Sequence, residues 1–168
     1  DLKCTVIGGY PVLRVVTDAG ISGYSQMESW KSRQKAHVLY FRDEILGQDP
    51  TDVERVMLRF RRLGGNKPWG SAVSAIEIAL WDIAGKVTGQ PVVNLVGGVL
   101  RDRIRVYANG WYADMHDHAK LRERVQKVVG MGYTAMKFDP FGAGGREMSR
   151  TDLRAAAKAV EVVRAAAG

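Results

Sequence analysis

The sequence contains a single cysteine, Cys4, among its 168 residues. One thiol cannot form an internal disulfide, which excludes a disulfide-held fold and favours a reducing, cytoplasmic location. Apolar runs of the roughly 20 residues that a transmembrane helix needs are missing. The first residues also lack the basic and then apolar layout of a signal peptide, so we expect no membrane association. Cys4 itself is predicted to be a small apolar residue of a strand.

The basic residues are not organised into a nucleic-acid-binding pattern, although the net charge is +7. The densest cluster, Arg59, Arg61 and Arg62, ends a predicted helix, where cations interact favourably with the helix dipole. An RNA-binding aromatic motif, a zinc knuckle, a basic-region zipper, internal repeats and low-complexity segments are all missing. We therefore expect no nucleic-acid partner.

Hydrophobic residues make up 46% of the sequence, enough for a packed core. The first half predicts a three-stranded meander with helices covering one face, since so small a sheet is only marginally stable alone. The strands are predicted at residues 2–7, 12–17 and 21–26, separated by turn residues. Helices are predicted over 30–46, over 50–60 with Asp49 as N-cap and Pro50 at the first position, and over 71–87.

After Gly97 and Gly98 the pattern changes to strand, helix, strand, helix. The strands are predicted around 104–108 and 133–139, and the helices over 117–129 and from the capping-box pattern at Ser149 onward. Such a run implies parallel strands with right-handed crossovers. Two parallel strands do not make a stable sheet, because parallel sheets are covered on both faces. The second half is therefore predicted to open a larger α/β domain.

The segment Ser71–Gly98 reads SAVSAIEIALWDIAGKVTGQPVVNLVGG. It resembles the signature of the mandelate racemase/muconate lactonizing enzyme group of the enolase superfamily. The matching positions are Ala72, Ala75, Glu77, Ala79, Leu80, Asp82, Gly85, Lys86, Pro91, Leu95 and Gly97. The resemblance implies an α+β capping domain over residues 1–97, followed over 98–168 by the first βα units of a TIM-type barrel, truncated before the barrel is complete. The segment itself is predicted to be structural: its alanines allow close packing, and Asp82 and Lys86 pair at i, i+4.

Two charged residues on the second predicted barrel strand are the candidate catalytic residues. Because strand side chains alternate, Lys137 and Asp139 share one face, and Met136 and Phe138 face the outer helices. Active sites of TIM barrels lie at the carboxyl ends of the strands. A structural ion pair between Lys137 and Asp139 is the alternative interpretation.

The family resemblance implies removal of a proton α to a carboxylate, with Mg²⁺ stabilising the enediolate. Lys137 matches the first lysine of the family's Lys-x-Lys motif. Asp139 stands at the second lysine, which is often the base, so the base is either Asp139 or a histidine elsewhere in the whole protein. The metal ligands are expected beyond this chain, which is therefore expected to be inactive alone.

The departure from the two-lysine motif favours an acid-sugar dehydratase, with a racemase or cycloisomerase as the alternative within the superfamily. The expected partner is a small carboxylate substrate, an acid sugar, and assembly into a homo-oligomer is expected. A truncated, non-catalytic binding or oligomerisation module is the alternative from another class.

Specificity in the family comes from capping-domain loops and βα loops. The matching candidates for substrate binding are Tyr10, Tyr24, Glu28 and Trp30 in the first half, and Asn109 and Trp111, with Tyr112 beside them, after the first barrel strand. Packing is the competing interpretation for the aromatic residues. His116-Asp117-His118 is interpreted as a helix start, because side chains two positions apart on a helix do not face each other.

Overall fold

The computed structural model of the protein describes residues 1–63, 70–142 and 147–168, without the side chains of residues 30–32. The chain divides into two compact units, Asp1–Leu100 and Arg101–Gly168. The boundary that the sequence predicts between the domains of the whole protein, after residue 97, stays a prediction.

The first unit is built on a three-stranded antiparallel sheet of order β1-β2-β3, which confirms the predicted meander. The strands are β1 (Leu2–Ile7), β2 (Tyr10–Val16) and β3 (Ser22–Gln26). Alternation places one face of the sheet in the core, where the buried side chains are Leu2, Cys4, Leu13 and Val15. Cys4 is a buried strand residue as predicted, and burial raises the pKa of its thiol.

Helices cover that face of the sheet. A 3₁₀ helix (Ser29–Gln34) is followed by α1 (Lys35–Tyr40), α2 (Arg42–Ile45), α3 (Val53–Arg62), α4 (Gly70–Thr88) and α5 (Val92–Leu95).

The prediction of one continuous helix over 30–46 was wrong, because the chain leaves helical geometry at Phe41, with ψ of 4°. The ring of Phe41 is fully buried and packs against Phe60 at 4.8 Å between centroids. Tertiary burial of one aromatic ring thus overrides the local helical pattern.

The prediction that Asp49 caps α3 was also wrong. Its carboxylate accepts hydrogen bonds from the backbone N–H of Thr51 at 2.8 Å and from the Thr51 hydroxyl at 2.6 Å. These bonds close a turn before the helix, and they lower the pKa of Asp49. The residue before the first turn of α3 is Asp52.

Helix α4 follows the predicted helix closely and packs tightly on β3. Gly23 makes this approach possible, because a Cβ there would overlap the carbonyl oxygen of Ala79. The buried hydroxyl of Ser25 donates to the carbonyl oxygen of Ala75 at 2.6 Å. Ile76, Leu80 and Ile83 are fully buried beneath the sheet, and each such side chain contributes about 1.5–3 kcal/mol.

Two charged side chains on α4 hydrogen-bond to backbone groups at the outer edge of β3. Asp82 accepts the backbone N–H of Tyr24 at 2.9 Å, and Lys86 donates to the Ser22 carbonyl at 2.8 Å. Asp82 and Lys86 also pair with each other at 2.6 Å, which confirms the predicted i, i+4 pair. The charged pair of the family signature therefore satisfies strand groups that would otherwise be unpaired.

The second unit has two helices packed together, α6 (His118–Gly130) and α7 (Arg150–Ala167). Their shared core contains Leu121, Val125, Ala159, Val162 and Val163. Asp117 is the N-cap of α6, which confirms the helix start. Its hydrogen bond from the Lys120 backbone lowers the pKa of its carboxyl. Ser149 and Asp152 form the predicted capping box of α7.

The two strands predicted for this unit do not form a ladder. Only a single parallel bridge, between Ala108 and Met136, joins the two predicted segments in the part of the chain that the structure describes. Ile104 and Val106 are 79% and 61% exposed. The pairing of parallel strands depends on segments distant in the sequence, so the alternation of each segment alone does not fix a ladder. The described residues show no further barrel portion.

No helix within the described ranges combines the length and the apolar character that crossing a membrane requires.

Candidate functional site

The candidate catalytic residues lie next to the parallel bridge of the second unit. The backbone N–H of Lys137 donates to the Ala108 carbonyl at 2.8 Å. Met136 and Phe138 pack against the α6–α7 core, as predicted, whereas Lys137 and Asp139 are exposed. Alternation along the segment therefore places the two charged side chains away from the helices.

Lys137 and Asp139 do not form an ion pair with each other in the described structure. One carboxylate oxygen of Asp139 accepts the backbone N–H of Phe141 at 3.0 Å, which closes a turn across Pro140. No hydrogen bond or ion pair of the Lys137 ammonium occurs among the described residues. The geometry thus gives no support to the structural ion pair, and it leaves a cation and a carboxylate oxygen for a ligand.

Trp111 lies beside this segment as part of the packed cluster rather than as an open loop residue. Its ring is half-buried, 5.8 Å from the Phe138 ring and 5.8 Å from the Tyr112 ring. Its indole N–H donates to the carbonyl oxygen of Lys137 at 3.0 Å. These contacts favour the packing interpretation for Trp111. Asn109, two residues earlier, is exposed.

In the first unit, Tyr10 and Glu28 line one cavity of about 690 Å³. Tyr10 begins β2, and Glu28 follows β3, so the antiparallel pairing of the two strands brings them to the same end of the sheet. The start of α4 contributes Ser71 and Ser74 to the same cavity. These two serines are not among the residues predicted from the sequence, although their i, i+3 spacing in the first turns of a helix places them on one face.

Tyr24 is not among the described residues that line this cavity. Tyr24 lies within β3, inside the strand predicted over 21–26, and not on the loop that the family resemblance implies for it. Its ring lies under two cations, with Lys86 Nζ at 5.0 Å and Arg14 Cζ at 5.7 Å from the centroid. Trp30 was predicted from the sequence, but its side chain lies outside the described residues.

The described residues contain no group of three or more histidine, cysteine, aspartate or glutamate side chains that could hold a metal ion. The donor set present here therefore does not fit a Mg²⁺ site, which needs a near-octahedral set of oxygen ligands.

A family model for the N-terminal domain of mandelate racemase/muconate lactonizing enzyme matches residues 7–97. D-gluconate dehydratase of Thermoproteus tenax is 41% identical over 74% of the chain and 26% of its own length. D-xylonate dehydratase of Haloferax volcanii is 35% identical over 90% of the chain and 39% of its own length. The chain thus spans well under half the length of these relatives.

Solved structures of similar fold align with nearly the whole chain. A candidate dehydratase from Mesorhizobium loti superposes with a TM-score of 0.85 at 29% identity, covering 99% of this chain and 49% of the other. A candidate L-alanine-DL-glutamate epimerase from Burkholderia xenovorans, bound to magnesium and fumarate, has a TM-score of 0.80 at 22% identity, covering 100% of this chain and 51% of the other. At that identity the second likeness shows the fold alone.

Proposed function

Since the chain belongs to the mandelate racemase/muconate lactonizing enzyme family of the enolase superfamily, we propose that the whole protein is an acid-sugar dehydratase. The similar proteins named as D-gluconate and D-xylonate dehydratases support this reaction class. The alignment with the xylonate enzyme covers 90% of the chain, so it includes the segment with Lys137 and Asp139. The observation that carries the proposal is that these two charged side chains are exposed on the side opposite the helices and form no ion pair among the described residues.

In the proposed reaction the substrate loses the proton on the carbon α to its carboxylate and the hydroxyl on the next carbon. The hydroxyl leaves as water, and the resulting enol tautomerises to a 2-keto-3-deoxy acid. The ammonium of Lys137 attracts the substrate carboxylate and the negative charge that develops on it as the proton leaves. A preorganised cation of this kind acts most strongly once the substrate excludes water.

Asp139 is proposed to take part in proton transfer or to bind a substrate hydroxyl. Its turn with Phe141 fixes one carboxylate oxygen and leaves the second oxygen available. A general acid or base must lie within hydrogen-bond reach of the proton that it moves. The fixed turn restricts the rotamers of Asp139, which favours such a defined position.

Magnesium belongs to the proposal only through the family, one of whose fold relatives was crystallised with it. The described residues do not fit a magnesium site, so no step of the proposed mechanism is assigned to the metal on this chain.

Tyr10, Glu28 and Asn109 are the proposed contacts for substrate hydroxyl groups, since each is exposed and polar. The role of Trp30 in substrate binding stays a prediction. The sequence also suggests Tyr24 and Trp111 as substrate contacts. Because both have the ring and hydrogen-bond partners described above, we propose structural roles for them. The expected homo-oligomer also stays a prediction.

The test is to incubate the full-length protein with Mg²⁺ and, separately, D-gluconate, D-galactonate and D-xylonate, and to measure the 2-keto-3-deoxy product. We expect product from at least one of the three, and none after chelation of the metal. Absence of product from all three contradicts the proposal. Exchange of the α-proton with solvent deuterium without loss of water would instead support the racemase alternative. Salt-sensitive binding of nucleic acid without turnover would support the non-catalytic module.

A further inference from the structure

The carbonyl oxygen of Lys137 lacks the partner that a continued parallel ladder would give it. In a parallel ladder, the N–H and the carbonyl of one residue bond to the two residues that flank its partner on the facing strand. Here Ala108 accepts from the N–H of Lys137 at 2.8 Å and donates to Ala135 at 3.0 Å. The next donor in that register would be the backbone N–H of Gly110.

The chain turns away before that bond can form. Gly110 has a φ of +70°, in the left-handed region that ends a strand. No backbone hydrogen bond joins Gly110 to Lys137 among the described residues. The indole N–H of Trp111 donates to the same carbonyl instead, at 3.0 Å.

The Trp111 ring is held in place independently of this bond. It packs against Phe138 and the α6–α7 core on one side of the segment. The loop that follows it is tied to α6, since Arg124 Nη2 donates to the carboxylate of Asp114 at 3.2 Å. Asp114 has a φ of +49°, a left-handed conformation that is uncommon for residues other than glycine and that aspartate adopts more often than most. The indole is therefore a rigid donor rather than a loose surface side chain.

We infer that Trp111 is a positioning residue for Lys137: its indole N–H replaces the missing ladder bond and fixes the backbone from which the Lys137 side chain projects. The relevance to catalysis rests on the proposed function, whereas the positioning itself does not. Small displacements of a catalytic group cost large factors in rate, so the strand at Lys137 has to be held. This role differs from the substrate contact that the sequence suggests for Trp111.

The first test follows hydrogen exchange by NMR in the full-length protein and needs no substrate. We expect the Trp111 indole N–H to exchange slowly in the unmodified protein, because it is bonded and half-buried. An indole N–H that exchanges at the rate of free tryptophan overturns the inference.

The second test compares Trp111→Phe, which keeps an aromatic ring and removes the donor, with Tyr112→Phe, which removes one polar atom from the neighbouring ring. We expect Trp111→Phe to speed exchange of the Lys137 amide about tenfold, as loss of one hydrogen bond implies, while the core amides of α6, such as that of Val125, stay unchanged. Tyr112→Phe should leave the Lys137 amide unchanged. Equal exchange at Lys137 in Trp111→Phe and the unmodified protein overturns the inference, as does an equal acceleration at Lys137 and Val125.

The kinetic arm separates this inference from the proposed function. If the protein dehydrates an acid sugar, Trp111→Phe should lower kcat about tenfold with KM little changed, since a positioning defect acts on the reacting geometry. A rise in KM at constant kcat would identify Trp111 as a substrate contact and overturn the inference. Selective acceleration of the Lys137 amide in a protein without dehydratase activity would support the positioning role and contradict only the proposed function.

Discussion

The two units of the chain differ in how their strand segments are paired. In Asp1–Leu100, hairpins close the sheet, α4 covers it, and charges on α4 satisfy the edge of β3. In Arg101–Gly168, the helices share a core, but a single bridge joins the two strand segments, and Ile104 is 79% exposed. Antiparallel strands close with neighbours in sequence, whereas parallel strands depend on distant ones. The catalytic candidates Lys137 and Asp139 lie in the unit whose strand segments are joined by the parallel bridge.

The largest effect that tests this comparison is expected at Gly23, where the first unit is most tightly packed. A Cβ there would overlap the Ala79 carbonyl oxygen, which is backbone and cannot move aside easily. We expect Gly23→Ala to lower the free energy of unfolding by about 3 kcal/mol, at the upper end for overpacked sites. Urea unfolding followed by circular dichroism measures the change.

Gly130→Ala is the matched control in the second unit. Gly130 is helical, and a Cβ added to it meets open space. Alanine should stabilise α6 there by up to about 1 kcal/mol. If both substitutions have the same effect, the close approach of β3 to α4 is not what holds the first unit together.

A smaller loss of stability is expected when the Asp82 carboxylate, which hydrogen-bonds to the edge of β3, is removed. Asp82→Ala leaves the Tyr24 N–H and the Lys86 ammonium without their carboxylate. We expect a loss of about 1.5 kcal/mol, because the bonds involve a charged group at a partly exposed position. Asp82→Asn keeps a carbonyl acceptor and should lose less. Thermal unfolding of the three proteins gives the order, and equal stability of all three would contradict a role for the edge contact.

The smallest effect is expected in the second unit, at the capping box of α7. Ser149→Ala removes the cap and should cost about 1 kcal/mol. The hydrogen bonds from Ser149 lower the pKa of Asp152. A lowered folded-state pKa contributes stability that is present above the ordinary aspartate pKa of about 3.9. That stability is lost as pH falls through the folded-state pKa.

The measurement is the helical signal of the protein between pH 6 and pH 2, with and without Ser149→Ala. The substitution should remove part of the pH dependence as well as the stability at pH 6. Thr151→Ala, at the neighbouring exposed position in the same turn, serves as the control and should retain the dependence. An unchanged acid profile in Ser149→Ala would show that the box does not hold Asp152 ionised.

Features set by near neighbours in the sequence could be predicted. The bounds of β1, the span of α4, the Asp82–Lys86 pair and the Ser149 capping box all follow from local spacing. The break at Phe41 could not be predicted, because it depends on burial against Phe60, which is distant in sequence. The predicted barrel strands are represented by one parallel bridge, because the pairing of parallel strands depends on segments that are distant in the sequence.

The same distinction applies to the candidate site. Alternation along the segment correctly placed Met136 and Phe138 under the helices, because that depends on residue spacing alone. The bond from Trp111 to the Lys137 carbonyl depends on the turn at Gly110 and on packing against Phe138, and no local pattern encodes both. The shared cavity of Tyr10, Glu28, Ser71 and Ser74 likewise arises only once α4 packs on the sheet.

We propose that the exposed Lys137 side chain serves catalysis rather than structure. The most direct test of this proposal is Lys137→Ala in the full-length protein, with Lys127→Ala on the exposed face of α6 as the control. We expect loss of at least about a thousandfold in formation of the 2-keto-3-deoxy acid, in the range for removal of a key electrostatic group, with unchanged thermal unfolding and a fully active control. Retained turnover in folded Lys137→Ala would contradict the account.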